Sequence, residues 1–428
     1  MGFFGGRKML SLPSNGGWDL TGREAVVEFL RPKWIAIPLK YLKNESFELC
    51  VAIDDNVKIG SKIAVGKCGT VLYSSISGKV TAIQKRDHVS LRKVDHVFIE
   101  NNFADEFIAE SDVLIQPTPI ENFDGLLRDD ILKFAAFGQG VNANLFAKPA
   151  KTVIVDGLCE PYITSIEAEM LDNPKLLFEG LLLVMRGLRA ANSVLVLRKD
   201  APSYLTVSME KALSGAGIRF VDTAFASSES ASNDMKDAFI RETLGDFHSR
   251  EGVVVVKATD IVDFAKFVTT GVPTYERIVT LSGEGLRFPR NVRMRIGTTV
   301  ADAVAVIGGY IGQLSGNAAK HSRFITGGPL RGGSIITDEL SVTLDTHAFL
   351  CLTNTEPVPF PCIKCGVCVE SCPEGLQPVQ IFAASKARDK AWLAELETKR
   401  CVECGICSAA CPSHIELSGA IAKAKALY

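Results

Sequence analysis

Two stretches near the carboxyl end, CIKCGVCVESCP from Cys362 and CVECGICSAACP from Cys401, repeat one spacing, C-x2-C-x2-C-x3-C-P. No other feature of this sequence of 428 residues restricts the fold as strongly. Three cysteines separated by two residues wrap a tight loop around one cube of iron and sulfide. Gly366 and Gly405 let the backbone turn there and aim amide N–H groups at sulfur. The fourth cysteine precedes a proline suited to a first helical turn, and in a two-cluster module it reaches across to the other cube. The expected ligand sets are therefore Cys362, Cys365, Cys368 and Cys411 for one [4Fe-4S] cluster, and Cys401, Cys404, Cys407 and Cys372 for the second.

Structural zinc needs paired C-x2-C units and has no use for the third and fourth cysteine at these offsets. A disulfide framework belongs to small secreted domains, and inert buried thiols would not recur twice at one spacing. Residues 362–411 contain no acid–base constellation, so the module reads as a one-electron wire. The lone His414 reads as a surface residue at a helix start, not a ligand. Of the 12 cysteines, Cys50, Cys68, Cys159 and Cys351 stand apart from the repeats. All but Cys159 are expected to be small buried hydrophobes.

Upstream, the length implies several domains, and 47% hydrophobic content with 22% charged residues excludes a largely disordered chain. A net charge of -2 gives no support to nucleic-acid binding. No apolar run reaches the roughly 18 residues of a spanning helix, and no signal-peptide pattern is legible, so a cytoplasm-facing protein is expected. Residues 1–30 read as an irregular Gly-rich arm. Residues 31–115 read as a small β unit, with strands at Ile35–Leu39, Cys50–Ile53, Ser61–Val65, Thr70–Tyr73 and Gly78–Ile83. Residues 120–272 alternate buried strands (Thr152–Val155, Ser193–Leu197, Gly252–Val256) with helices, of which Leu176–Ala191 is the clearest. The polar stretch 226–236 reads as a loop. Residues 273–345 form an α+β unit, with strands at Arg277–Leu281 and Val292–Ile296, one helix near Val300–Ile307, and a turn at Thr326–Pro329. Residues 346–361 read as a linker to the cluster module at 362–428, in which Val379–Leu396 spans the two repeats as a helix.

This order of parts resembles the C subunit of the Rnf electron-transport complex and its soluble relatives, over about residues 34–425. The segments VKIGSKI from Val57 and SSISGKV from Ser74 are similar to the family's barrel-sandwich (biotinyl-like) domain. RIVTLSGE from Arg277 and TGGP from Thr326 resemble its soluble-ligand-binding β-grasp domain. The resemblance implies a multidomain α/β and α+β protein. Its parts would be a barrel-sandwich hybrid, a complex-I-type flavoprotein α/β domain, a β-grasp domain and a ferredoxin-like helical domain with two clusters.

The nucleotide site departs from the family. Where relatives carry a long glycine loop resembling GxGGAGFPT, this chain has FGQGVNAN from Phe137, and where they carry NGAECEPY it has DGLCEPY from Asp156. The resemblance leaves Gly138, Gly140 and Glu160 as flavin or nucleotide contacts. FMN binding stays open, and NADH oxidation is expected to be weak or absent. The implied function is an oxidoreductase or translocase subunit, peripheral on the cytoplasmic face of the membrane. It would pass electrons between a soluble carrier (ferredoxin, flavodoxin or NAD(H)) and other subunits of the complex. A soluble relative serving one partner enzyme, like a cobalamin reductase or a proline reductase-associated donor, is the alternative.

Overall fold

A computed structural model describes residues 17–40, 46–67, 69–88, 93–109, 115–213, 217–221, 240, 243–244, 251–311, 322–329, 332–353, 359–372 and 374–425. The first 16 residues, Cys68 and the polar stretch 226–236 lie outside the described residues. The β unit follows from alternation: Trp34–Pro38, Gly78–Asp87 and Lys93–Asn101 pair antiparallel, and their inward residues Ile35, Ile37, Val80, Val97 and Ile99 close one core with Val57, Ile63 and Ile76. A second, three-stranded sheet joins Phe47–Leu49, Lys62–Gly66 and Val71–Tyr73. The strand expected at Cys50–Ile53 is not formed; the last bond to the neighbouring strand is from Cys50 N–H to the Ile63 carbonyl, and Asp55 then caps a turn through the amide of Ala52. Cys50 is consequently exposed and not a core residue, whereas Cys351 is fully buried as expected.

The α/β unit holds a four-stranded parallel sheet in the order Gly217–Val221, Asn192–Arg198, Thr152–Asp156, Val253–Lys257. Its near-continuous apolar strands are those of a sheet covered on both faces. Val153, Val155, Leu195 and Leu197 pack under the helices Pro174–Leu188 and Ala258–Thr270, and Ile154 and Val196 pack on the opposite side with Ile240. The first of these helices opens with proline at its first position, buries Leu177, Leu181, Val184 and Leu188, and stops at Arg189 in the left-handed conformation.

The third unit is larger than its sequence suggests. Its six-stranded sheet runs Val27–Phe29, Arg290–Arg295, Glu276–Ser282, Ala348–Thr353, Ser322–Thr326, Gly333–Ile335. Two expectations are thereby corrected. The arm assigned to 1–30 is not irregular throughout, because Val27–Phe29 pairs in parallel with Val292–Met294. The linker assigned to 346–361 begins later, because Ala348–Thr353 lies in the middle of the sheet with Phe349 and Cys351 in its core. The helix Val300–Val306 forms as expected, capped by Thr299. In the cluster module the helix expected over Val379–Leu396 is two helices, Pro378–Ala387 and Lys390–Glu395, broken where Arg388 turns left-handed and Asp389 caps the second. No helix among the described residues is long and apolar enough to cross a membrane.

Candidate functional site: two four-cysteine cavities and a crevice at the strand ends

The cluster module has internal two-fold character that reaches the level of single dihedral angles. Lys364 (φ 57°) matches Glu403 (φ 57°), Gly366 (φ 79°) matches Gly405 (φ 76°), and Gly375 (φ 66°) matches His414 (φ 54°). Each loop turns left-handed at its glycine, which caps a single helical turn, Val367–Glu370 or Ile406–Ala409, carrying the third cysteine. In both loops an amide points back at the first sulfur: Lys364 N–H donates to Cys362 Sγ at 3.4 Å, and Glu403 N–H to Cys401 Sγ at 3.4 Å. His414 is explained by the same symmetry. It is exposed, edge-on to Phe360, at the turn position held by glycine in the first repeat.

The eight thiols fall into two groups, and the fourth cysteine of each repeat crosses over. Cys362, Cys365, Cys368 and Cys411 line one cavity, and Cys401, Cys404, Cys407 and Cys372 line the other. Electrostatics separates the same sets. Burial, and then Cys365, Cys411 and Cys362, push the Cys368 thiol up. Burial, and then Cys404, Cys401 and Cys372, push Cys407 up to about 12. Four thiolates in such a pocket repel one another unless a cationic group compensates. Among the described residues no three His, Cys, Asp or Glu side chains converge closely enough for a single ion. Sulfurs ringing a cavity, with amides directed at them, are the donor set that an iron–sulfide cube requires, so the residues fit that group.

The three residues expected at a nucleotide site do not meet. Glu160 lines a crevice of ≈ 320 Å³ together with Asp156 and Lys257, the last residues of two adjacent strands that face each other in register. The order of the parallel strands reverses between these two, and such a switch point is where open α/β sheets bind ligands. The turn Thr326–Gly328 and His347 of the six-stranded unit close the crevice's other side. Burial, and then Arg277 and Lys257, hold the His347 imidazole well below its ordinary pKa, so this ring adds no positive charge to the wall, which also carries Asp345. Gly138 and Gly140 do not line this crevice. At Gly140 (φ 70°) a Cβ would lie 2.2 Å from the Asp260 carbonyl and 2.8 Å from the Phe264 amide, so this glycine seats its loop on the helix Ala258–Thr270. Packing therefore accounts for Gly140, whereas a Cβ at Gly138 (φ 65°) would meet nothing within 4 Å. Gly140→Ala is expected to cost about 1–3 kcal/mol of stability, since it adds a clash to a left-handed backbone. Denaturant titration measures this, and the iron content of the folded protein should not change.

Cys159 sits beside Glu160 but is buried, and desolvation followed by the nearby Glu167 carboxylate raises its thiol pKa far above the ordinary value, which makes it unreactive. Sequence reasoning missed the contribution of the amino-terminal segment here. Trp18 is buried, its indole N–H donates to the Glu160 carbonyl at 2.9 Å, and its ring lies 4.4 Å from the Arg198 guanidinium. Arg198 in turn pairs at 2.6 Å with the buried Glu167. A lone tryptophan in a Gly-rich stretch was the available signal.

Comparison with known proteins adds three family matches: the RnfC barrel sandwich hybrid domain over residues 14–104, the SLBB domain over 278–333, and the 4Fe-4S dicluster domain over 361–415. The chain is 25% identical over 374 residues to the C subunit of the Na(+)-translocating ferredoxin:NAD(+) oxidoreductase complex of Acetobacterium woodii, covering 83% of this chain and 82% of that protein. It is 25% identical over 361 residues to the C subunit of the proton-translocating ferredoxin:NAD(+) oxidoreductase complex of Clostridium ljungdahlii, covering 81% and 77%. Against the C subunit of the ion-translocating oxidoreductase complex of Rhodobacter capsulatus it is 30% identical over 265 residues, 60% of this chain and 49% of that one.

Proposed function

This chain is an RnfC-like protein, and from that premise we propose that it is the electron-relaying C subunit of an Rnf-type membrane redox complex. Each four-cysteine cavity holds one [4Fe-4S] cluster, which supplies one-electron transfer. Cys362, Cys365, Cys368 and Cys411 ligate the first and Cys401, Cys404, Cys407 and Cys372 the second. The observation that supports this most is the crossing of Cys372 and Cys411, because interleaved ligands keep two clusters within hopping range. The α/β unit is a complex-I-type domain whose flavin loop has been given over to packing, and the six-stranded unit is its β-grasp companion. Glu160 remains as a contact for a ligand in the crevice. A soluble carrier delivers or removes electrons, membrane subunits exchange them on the cytoplasmic face, and ion movement falls to those subunits.

Anaerobically prepared protein should carry about eight irons per chain. Dithionite should produce the EPR spectrum of two magnetically interacting clusters, while NADH added to the isolated chain should produce no fast reduction. Zinc in place of iron, or a single isolated signal, would refute the cluster assignment. Rapid stoichiometric reduction by NADH would refute the reading of the glycine loop.

A further inference from the structure

The two cysteine loops turn left-handed at the same positions but differ in surroundings. Every residue from Pro361 to Cys365 is exposed, whereas Cys401, Val402 and Cys404 are half-buried, although the third cysteines Cys368 and Cys407 are both buried. The first cavity is also the roomier, ≈ 140 Å³ against ≈ 20 Å³. Charge differs in the same sense. Among the described residues lining the first cavity the only charged side chain is Lys364, and those lining the second are both acids, Glu374 and Glu403.

The two acids are not equivalent. Glu403 is neutralised by Lys425, 2.6 Å away, whose ammonium also reaches the Cys401 carbonyl at 2.8 Å. The Glu374 side chain is 2% exposed, its Oε1 has no hydrogen-bond partner among the described residues, and its nearest cation, the half-exposed Arg400, stands 3.8 Å from the other oxygen. A buried, poorly compensated carboxylate thus faces the second cavity, and an exposed ammonium faces the first.

We propose that Glu374 and Lys364 set unequal potentials on the two clusters, with the second repeat's cluster the lower, so that electrons run from the second cavity to the first. The inference rests on the cluster assignment above and deepens it. Reduction adds one negative charge to a cluster that is already anionic. A carboxylate in a low-dielectric wall opposes that charge, while an ammonium and nearby water favour it. The amide bonds to the first sulfur of each repeat are matched and do not supply the difference, while the Ile415 N–H that reaches Cys411 Sγ at 3.5 Å favours reduction at the first cavity, in the same sense as the charges. Glu374 and Lys364 are positioning residues here; neither is a ligand.

The test is an EPR-monitored redox titration of the full, cluster-loaded chain and of two charge variants, each retaining all eight cysteines. Wild type should titrate in two separated waves. Glu374→Gln should move the more negative wave to higher potential and leave the other nearly in place, and Lys364→Gln should move the more positive wave to lower potential. A single wave, or either variant shifting the opposite wave, overturns the proposal even when iron is stoichiometric. Material that never takes up two clusters refutes the function proposed above, and this inference with it.

Discussion

Replacing Cys372 by alanine is expected to halve the iron content and leave one magnetically isolated cluster, and the cluster lost should belong to the other repeat. Cys372 lies in the first repeat but lines the cavity of the second, with Cys401, Cys404 and Cys407. Sequence proximity predicts the opposite loss, so a second substitution decides. In the Cys372→Ala background, Cys404→Ala should remove little further iron, because that site has already failed. Cys365→Ala in the same background should remove the rest. Uncrossed ligation reverses the two outcomes. This is a double-mutant cycle read in iron equivalents. The effect is large because three thiolates leave one corner of a cube open to water and oxidant.

Arg198→Met is expected to destabilise the α/β unit by about 3–5 kcal/mol, as removal of one partner from a buried ion pair does. Both side chains are almost wholly enclosed, at 6% and 4% exposure, and the Glu167 Oε2 lacks a hydrogen-bond partner even when Arg198 is present. The guanidinium also meets the Trp18 ring and, at 3.0 Å, Asp200, so its loss loosens the amino-terminal segment as well. The pH dependence has a defined sign. Burial raises the Glu167 pKa, with Arg198 opposing that rise. Without Arg198 the folded-state pKa climbs further above the unfolded value. Stability is then retained below the ordinary carboxylate range and lost as pH rises through the elevated pKa. Denaturant curves of wild type and variant should therefore converge in acid and separate toward neutrality. A Glu167→Leu/Arg198→Met double variant should recover much of the loss, since no charge is left stranded.

The legible and illegible parts of this sequence divide along physical lines. The cysteine sets could be read because ligand chemistry fixes spacing and residue type together, leaving few alternatives. The parallel sheet could be read because buried strands need unbroken apolar runs such as Val253–Val256. Val27–Phe29 escaped notice because three residues carry no periodicity, and their pairing is decided by a partner strand far along the chain. Ala348–Thr353 was hidden by its neighbour, the Pro-rich stretch that follows it, although its own residues are those of a core strand. Gly140 is ambiguous in the sequence because glycine serves equally where phosphate must approach and where a helix must. Only the position of the Asp260 carbonyl separates these cases.

The parallel pairing of Val27–Phe29 with Val292–Met294 also carries a consequence for biosynthesis. A ribosome delivers about 5–20 residues per second, so the early strand waits on the order of tens of seconds before its mate exists. The β unit at residues 34–101 has all its strands long before then and can close by itself. The segment just ahead of it stays unpartnered until Arg290–Arg295 has emerged, so the six-stranded sheet can close only late in synthesis.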